Sequence, residues 1–529
     1  MIGFSAGVGF LLFGYDQGVM GSLLTLNSFT KQFPAIDTTG KSGTSHAATL
    51  QGATIGLYEI GCFLGAVATM IWGDEWGRRK VIWIGSVIMA IGAIIQCSSY
   101  GLAQLIVARI ITGVGNGMHT ATIPVWQSEC SPPHRRGALI MIEGALITGG
   151  IMVSYWVDFA LYWADPNPVA WRFPIAFQLI LIFPTFLTIW MPESPRWLLL
   201  KGRESEAREV LSALDEVPMD DPTIEHKVRE IKESIELAAG VGMMDLLKQG
   251  KERNFHRTSL GFVIQMFQQI SGINLITYYA GTIFEKYIGL SPLNSRILAA
   301  CNGTEYFLAS WIAVYTIEKY GRRKLMLFGA VGMSLCMAVL TATNSPTALK
   351  PDAEGKATVN GPPIVSAVFL FLFNSFFAVG WLGMTWLYPA EITPLSIRAS
   401  ANGVSTSANW LFNFMVVLIT PIAFETIKNY TYLIFCIINA LMVPAVYITF
   451  PETAGRSLEE MDAIFARSSY WNPYDVVRKE RETPRRYDEQ GRPIDLMLEA
   501  EESTGHAYPE KKATDDGLQL DTASGRSSN

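Results

Sequence analysis

The chain has 529 residues, half of them hydrophobic and only 17% charged, where soluble domains carry roughly a quarter charged residues. Apolar runs of about 20 residues, the length that spans a bilayer, recur along it and exclude one or two ordinary soluble domains. The net charge of −6 sits in the polar segments and has no nucleic-acid signature.

Twelve spans are predicted, near 2–24, 49–72, 79–98, 102–126, 138–162, 172–191, 258–284, 294–317, 324–343, 362–388, 399–424 and 430–450. Span 1 begins almost at Met1, which suggests a short or truncated start. It lacks the basic stretch and small-residue cleavage site of a signal peptide. Within "LLFGYDQGVMG" it holds one acid, Asp16. A charge at mid-membrane costs at least about 2.5 kcal/mol, so a partner or a function is expected. Arg109 opens "RIITGVGNG" in span 4. A guanidinium is always protonated and also needs a partner. Pairing Asp16 with Arg109 serves both, either as a proton switch or as a permanent staple.

Basic loops follow the even-numbered spans: "GDEWGRRK" (73–80), "SPPHRRG" (131–137), the 192–257 segment, "EKYGRRK" (318–324) and "SIRAS" (396–400). The positive-inside rule then puts both termini in the cytoplasm. The 192–257 segment mixes charge with apolar residues at helical spacing, which predicts short amphipathic helices on the cytoplasmic face. Five cysteines fall in spans and Cys130 at a span end, a pattern of core packing rather than disulfides or zinc.

In span 7, Gln265, Gln268 and Gln269 are three and four apart and share a helix face. Asn274 follows, across Ser271-Gly272, where a break would re-aim Asn274 and Tyr278 into a cavity. Amides donate and accept, as a sugar hydroxyl does. Spans 10 and 11 add Trp386, Asn409, Trp410 and Asn413. Lipid-facing tryptophans and helix–helix amide bonds are the structural alternatives. The tail from 451 is polar and is expected to be largely disordered beyond about 480.

The motifs repeat. "GDEWGRRK" and "IEKYGRRK" follow spans 2 and 8, "PVWQSECSPPHRRG" and "WLYPAEITPLSIRA" follow spans 4 and 10, and "PESPRWL" and "PETAGRSL" follow spans 6 and 12, at offsets of 244, 262 and 259 residues. Three ordered pairs predict a duplicated six-span unit, as in two-halved secondary transporters. The fold expected is therefore an all-α membrane protein of twelve transmembrane helices in two six-helix pseudo-repeats. Its parts are a first half (1–191), a linker (192–257), a second half (258–450) and a tail (451–529). The repeated charges form a candidate cytoplasmic gate: Asp74, Arg78, Arg79, Glu129, Arg136, Glu193 and Arg196, then Glu318, Arg322, Arg323, Glu391, Arg398 and Glu452. Interhelical pairs among them would hold the cytoplasmic side shut and break as the halves rock; alternatively, the arginines only set topology.

The set "FGYDQGV", "GDEWGRRK", "RIITGVGNG", "PESPRWL", "QQISGIN" and "PETAGRSLEEM", in order over roughly 1–465, resembles the sugar porter family of the major facilitator superfamily. "GFLLFGYDQGVMGSLLT", "TIPVWQSEC" and "IEGALITGGIMVSYWVDF" are similar to the fungal branch that includes glycerol–proton symporters. The resemblance implies alternating access in the plasma membrane. Proton-coupled members carry an aspartate at the position of Asp16 and an arginine at that of Arg109; facilitators commonly carry asparagine at the first. Gln268, Gln269, Asn274, Trp386 and Asn409 match the family's sugar-binding residues one by one. Two positions depart from the pattern. Gly144, preceded by Glu143, stands where sugar carriers present glutamine, and Tyr306, preceded by Glu305, where they present asparagine. Glu143, Glu305 and Tyr306 become candidate modulators, and a small polyol gains weight as substrate. The function expected is proton-coupled import of a neutral sugar or polyol by a monomer, with no enzyme activity, cofactor or metal. An uncoupled facilitator and a non-transporting sensor are the alternatives.

Overall fold

The computed structural model describes residues 2–38, 45–131, 136–238, 242–345, 361–394, 396–456, 458–469 and 472–484. Most of "SPPHRRG", the Arg136 side chain and the tail beyond 484 lie outside them. The described residues form helices and no strand. Nine helices are long and apolar enough to cross a membrane: Ser45–Trp76 (span 2), Arg78–Cys97 (3), Leu139–Ala164 (5), Val169–Trp190 (6), Pro292–Tyr320 (8), Arg322–Thr343 (9), Pro362–Ile392 (10), Arg398–Ile427 (11) and Tyr430–Thr449 (12). The remaining crossings are Ile2–Leu23 (span 1), Leu102–Glu129 (4) and the pair Asn254–Ile270 and Ile273–Thr282 (7). They are less apolar for a reason. Span 1 holds Asp16, Gln17 and several glycines, span 4 holds Arg109, Asn116 and His119, and span 7 is broken.

Helix packing follows the duplication. Within the first half, span 4 packs on spans 2 and 3, and span 1 on span 5; within the second, span 7 packs on span 11, and span 9 on spans 10 and 12. The halves meet through span 2 with span 11, span 5 with span 8, and span 1 with the second segment of span 7. Glycines bring spans 2 and 4 together. A Cβ on Gly113 would stand 2.1 Å from the Tyr58 carbonyl oxygen and one on Gly117 2.0 Å from that of Cys62. Such small-residue stripes let helix backbones approach in lipid, and here they set Arg109 against span 2.

Span 7 breaks at Gly272, whose φ of +99° is left-handed, a conformation glycine adopts without a Cβ penalty. Asn439 donates to the freed Ser271 carbonyl at 2.9 Å. Span 10 is interrupted by a π-helical turn, Ala378–Leu382. Such turns often occur at functional sites.

The two faces of the bundle differ. On the face away from the Arg/Glu motifs, the halves are tied together. Tyr155 donates to the Thr277 carbonyl, Trp156 Nε1 to Thr304 Oγ1 at 2.9 Å, and Arg296 Nη2 to Thr25 Oγ1 at 2.8 Å. Toward the motif face, a cleft opens between the halves, lined by Thr120, Pro124, Ile140, Glu143, Trp386 and Asn402 among others. On that face the linker helices Pro195–Leu200, Glu204–Asp215 and Pro222–Ala238 close a small core around Trp197, Leu211, Ile224 and Val228. Trp197 Nε1 ties it to the end of span 2 through Asp74 O, 2.9 Å away. The tail adds two folded helices, Leu458–Arg467 and Tyr474–Glu482. Arg257 pairs with Asp462 there, and Arg456 with Glu480 at 3.0 Å.

Candidate functional site

The glutamines of span 7 sit at one face, and the π turn of span 10 and the helix after it supply their first partners. The turn's geometry frees carbonyls that an α-helix would use internally. Gln268 Nε2 donates to Trp381 O (3.2 Å) and Leu382 O (3.1 Å), and Gln265 Nε2 to Thr385 O (2.9 Å). Their side-chain oxygens then accept from Asn409 Nδ2, at 2.6 Å for Gln265 and 2.8 Å for Gln268. Gln269 donates to Gln268 Oε1 at 3.2 Å. Past the break, Asn274 Nδ2 donates to Gln269 Oε1 and, at 2.7 Å, to Asn413 Oδ1. A chain of amides thus links spans 7, 10 and 11.

Gln268, Gln269, Asn274, Trp386 and Asn409 line a central cavity with Tyr306 and the apolar Phe13, Ile147, Ile151 and Phe377. Gln17 and Thr277 also line it. These two were missed by sequence reasoning; the signal for Gln17 was its place beside Asp16 in a membrane span. Three residues expected at the substrate go elsewhere. Tyr278 turns its hydroxyl to Glu59 of span 2. Trp410 packs edge-on against Phe13, ring centroids 5.4 Å apart. Asn413 reaches the site only through Asn274. Of the candidate modulators, Tyr306 lines the cavity and Glu143 the motif-face cleft, while Glu305 accepts from Ser375 Oγ.

Asp16 and Arg109 meet in a fully buried place. Arg109 Nη1 stands 3.9 Å from Asp16 Oδ1, an ion pair but beyond hydrogen-bond reach. Among the described residues, neither Asp16 oxygen has a hydrogen-bond partner, and neither do Arg109 Nε and Nη1. Nη2 donates to Ile55 O at 3.2 Å, and the Tyr58 ring lies 4.7 Å from the guanidinium carbon. A buried pair with unmade hydrogen bonds is expensive to hold. Sequence reasoning also missed Glu59. Its signal was a lone acid in the apolar "LYEIGCF" of span 2.

The repeated motifs form two matching clusters. Arg78 bonds Glu129 at 3.1 Å and Asp74 at 2.7 Å, with Arg196 3.9 Å from Glu129. Arg322 bonds Glu391 at 2.7 Å and Glu318 at 2.8 Å. Glu193 accepts from the backbone N–H groups of Arg78 (3.1 Å) and Arg79 (3.2 Å), and Glu452 from those of Arg322 (2.7 Å) and Arg323 (3.1 Å). Each carboxylate thereby sits at the N-terminus of a span, where the helix dipole favours negative charge. Burial nonetheless pushes the Glu193 carboxyl above its ordinary range, against the pull of these N–H donors and Arg78. Arg79 and Arg323 cap Met191 O (3.0 Å) and Tyr447 O (2.7 Å), and Arg398 bonds Thr393 O at 3.0 Å. All of these contacts lie within one half. They brace each half separately.

The sequence profile described as "Sugar (and other) transporter" matches residues 3–465. The chain belongs to this sugar transporter family. Its relatives include the Saccharomyces cerevisiae Sugar transporter STL1, 40% identical over 87% of this chain and 80% of that protein. They also include the Low-affinity glucose transporter HXT1 of the same yeast, 32% identical over 88% and 82%. The fold matches the proton:xylose symporter XylE bound to 6-bromo-6-deoxy-D-glucose, with a TM-score of 0.73 at 25% identity over 88% of this chain and 98% of that one. It also matches the inward open conformation of XylE from E. coli, with a TM-score of 0.68 at 26% identity over 88% and 99%. The sugar transporter family is one of membrane carriers, not enzymes, and its twelve-helix major facilitator fold accounts for the three polar crossings that hydropathy alone does not reach.

Proposed function

We propose that this sugar transporter imports a neutral sugar or small polyol across the plasma membrane together with protons, by alternating access, with its motif face in the cytoplasm. The observation that carries the reading is the loose, fully buried Asp16–Arg109 pair, set in the half opposite the amide chain of spans 7, 10 and 11. The amides match a ligand whose hydroxyls both donate and accept, and Trp386 offers a flat apolar face. The departures at Gly144 and Tyr306 favour a small polyol over a hexose, as does the resemblance to the glycerol–proton branch. Asp16 takes a proton from the outer medium, its hold on Arg109 relaxes, and the halves rock.

The driving force is sufficient. A charge crossing 100 mV gains about 2.3 kcal/mol, and one pH unit adds about 1.4 kcal/mol. Together these sustain about a 500-fold gradient of a neutral solute. The test is uptake of glycerol, D-xylose and D-glucose by transporter-null yeast under a pH electrode. Entry of at least one solute should alkalinise the medium and should collapse with a protonophore. Uptake of a probe with no pH change and no protonophore sensitivity leaves the facilitator reading in its place.

A further inference from the structure

Span 2 buries a carboxylate that the transport cycle above does not use. Glu59 is fully buried and interacts electrostatically with both Arg109 and Asp16. From the second half, Tyr278 donates its hydroxyl to Glu59 Oε1, while Oε2 has no hydrogen-bond partner among the described residues. The other titratable groups facing Glu59 are Tyr58 and Cys62 of its own helix. Tyr279, next to Tyr278, faces Arg109 and donates to Val417 O at 2.8 Å. Span 11, also packed on span 2, has no titratable residue between Arg398 and Glu425.

Two acids and one permanent cation leave an excess negative charge in a dry core, which is costly to bury. One bound proton restores neutrality, and its titration belongs to the pair of acids. The acids are not equivalent. Glu59 accepts from the Tyr278 phenol, whereas Asp16 stands 3.9 Å from the guanidinium and faces the Tyr58 hydroxyl without a hydrogen bond of normal geometry. A hydrogen bond to the charged form favours that form, and so does a neighbouring opposite charge, so the proton is shared between the two acids and the Tyr278 bond tips it away from Glu59.

We propose that Glu59 is a second proton-binding carboxylate of the coupling site, and that Tyr278 tells it where the second half stands. Tyr278 lies four residues past Asn274 on the same short segment of span 7. When the second half swings away, Glu59 loses its donor and draws the proton or Arg109 from Asp16. The amide site and the proton site thus communicate through one phenol. This rests on the proton-coupled reading above, and extends it from one acid to two.

The test uses the full chain in proteoliposomes, with glycerol, D-xylose and D-glucose as probes. It measures counterflow against pH, and accumulation under an imposed pH gradient. In the wild type, counterflow should fall as pH rises through the titration of the site. Glu59→Gln leaves one acid for one cation, so no proton is needed for neutrality. The fall should move to lower pH, and accumulation at neutral pH should be lost. Tyr278→Phe removes a hydrogen bond to a charged acceptor, and should move the fall to higher pH by about one unit. Glu59→Asp should restore the wild-type position. Opposite shifts in the first two variants support the proposal; either one holding the wild-type midpoint overturns it. If Glu59→Gln does not fold, as judged by gel filtration, Tyr278→Phe and Glu59→Asp decide. A wild type that accumulates no probe and has a flat pH profile removes the coupled reading and this proposal together. A coupled wild type with unmoved variants removes this proposal alone.

Discussion

Arg109 is the residue on which most of the polar core turns. It carries five N–H donors, yet one backbone carbonyl is its hydrogen-bonded acceptor here, with Asp16 at ion-pair distance and Glu59 within electrostatic reach. With two acids for one cation, removing one acid still leaves Arg109 a counter-ion. Asp16→Asn should therefore fold and exchange solute while losing accumulation, read as equal inside and outside label at steady state in the presence of a pH gradient. The double variant Asp16→Asn/Glu59→Gln strands a buried guanidinium, a loss of the order of 3–5 kcal/mol. It should be recovered in much lower yield as monodisperse protein than either single variant. At the amide site, Gln268→Ala leaves the Asn409 Nδ2 group short of an acceptor and opens the Trp381 and Leu382 carbonyls. A roughly tenfold or greater weakening of probe binding, measured by calorimetry on purified protein, is expected for a lost buried hydrogen bond of about 1.5 kcal/mol or more. Gln268 and Gln269 were legible in the sequence because they lie three and four residues past Gln265, which gathers the three amides on one side of the helix, and because they match the family's pattern. Glu59 was not, because its meaning comes from Tyr278, 219 residues away, and no periodicity reports such a contact.

Two interruptions shape the elements around the site, and they differ in how far the chain announces them. The break in span 7 is written as Ser271-Gly272, and the fold puts a left-handed glycine there. The π turn at Ala378–Leu382 has no comparable signal. "AVGWL" reads as ordinary helix, and only packing against span 9, where a Cβ on Gly380 would stand 2.6 Å from Leu325 O, shows why the backbone widens. The polar composition of spans 1, 4 and 7 weakens their hydropathy for the same reason that it builds the site. Gly272→Ala tests the first interruption. A side chain at φ +99° costs about 1–2 kcal/mol, and its Cβ would meet the Phe435 ring at 3.0 Å. Purified Gly272→Ala protein should melt at a lower temperature than wild type. Its apparent affinity for the transported probe should fall as well, because Asn274 loses its alignment with Gln269. An unchanged affinity would mean that the break does not aim Asn274.

At the scale of the molecule, the duplication was legible because three motif pairs recur in order, but the sequence placed too much on those motifs. Arg78–Glu129 and Arg322–Glu391 each join helices of one half, so in this state they brace rigid bodies, and the hydrogen bonds named above that tie the halves lie at the other face. That face is held by Arg296, among others. Its guanidinium bonds Thr25 of the first half at 2.8 Å and Glu285 of its own half at 3.2 Å, and its carbon lies 4.6 Å from the Tyr162 ring centroid. None of these residues announced the role, since each is a lone polar residue near a span end until the halves are brought together. Arg296→Ala removes a charge-assisted bond across the halves worth about 1.5–3 kcal/mol, which biases the equilibrium by about tenfold or more toward the state open at that face. Thr406 lines the cleft on the motif side, so in a Thr406→Cys background a membrane-impermeant thiol reagent reports that side's accessibility. In inside-out vesicles, labelling of Thr406→Cys should be fast in the otherwise wild-type chain and slower when Arg296→Ala is added, since the cleft closes as the far face opens. Equal rates would place the weight of the closure on Tyr155–Thr277 and Trp156–Thr304 instead, and the same pair of vesicles with those contacts removed would then show the slowing.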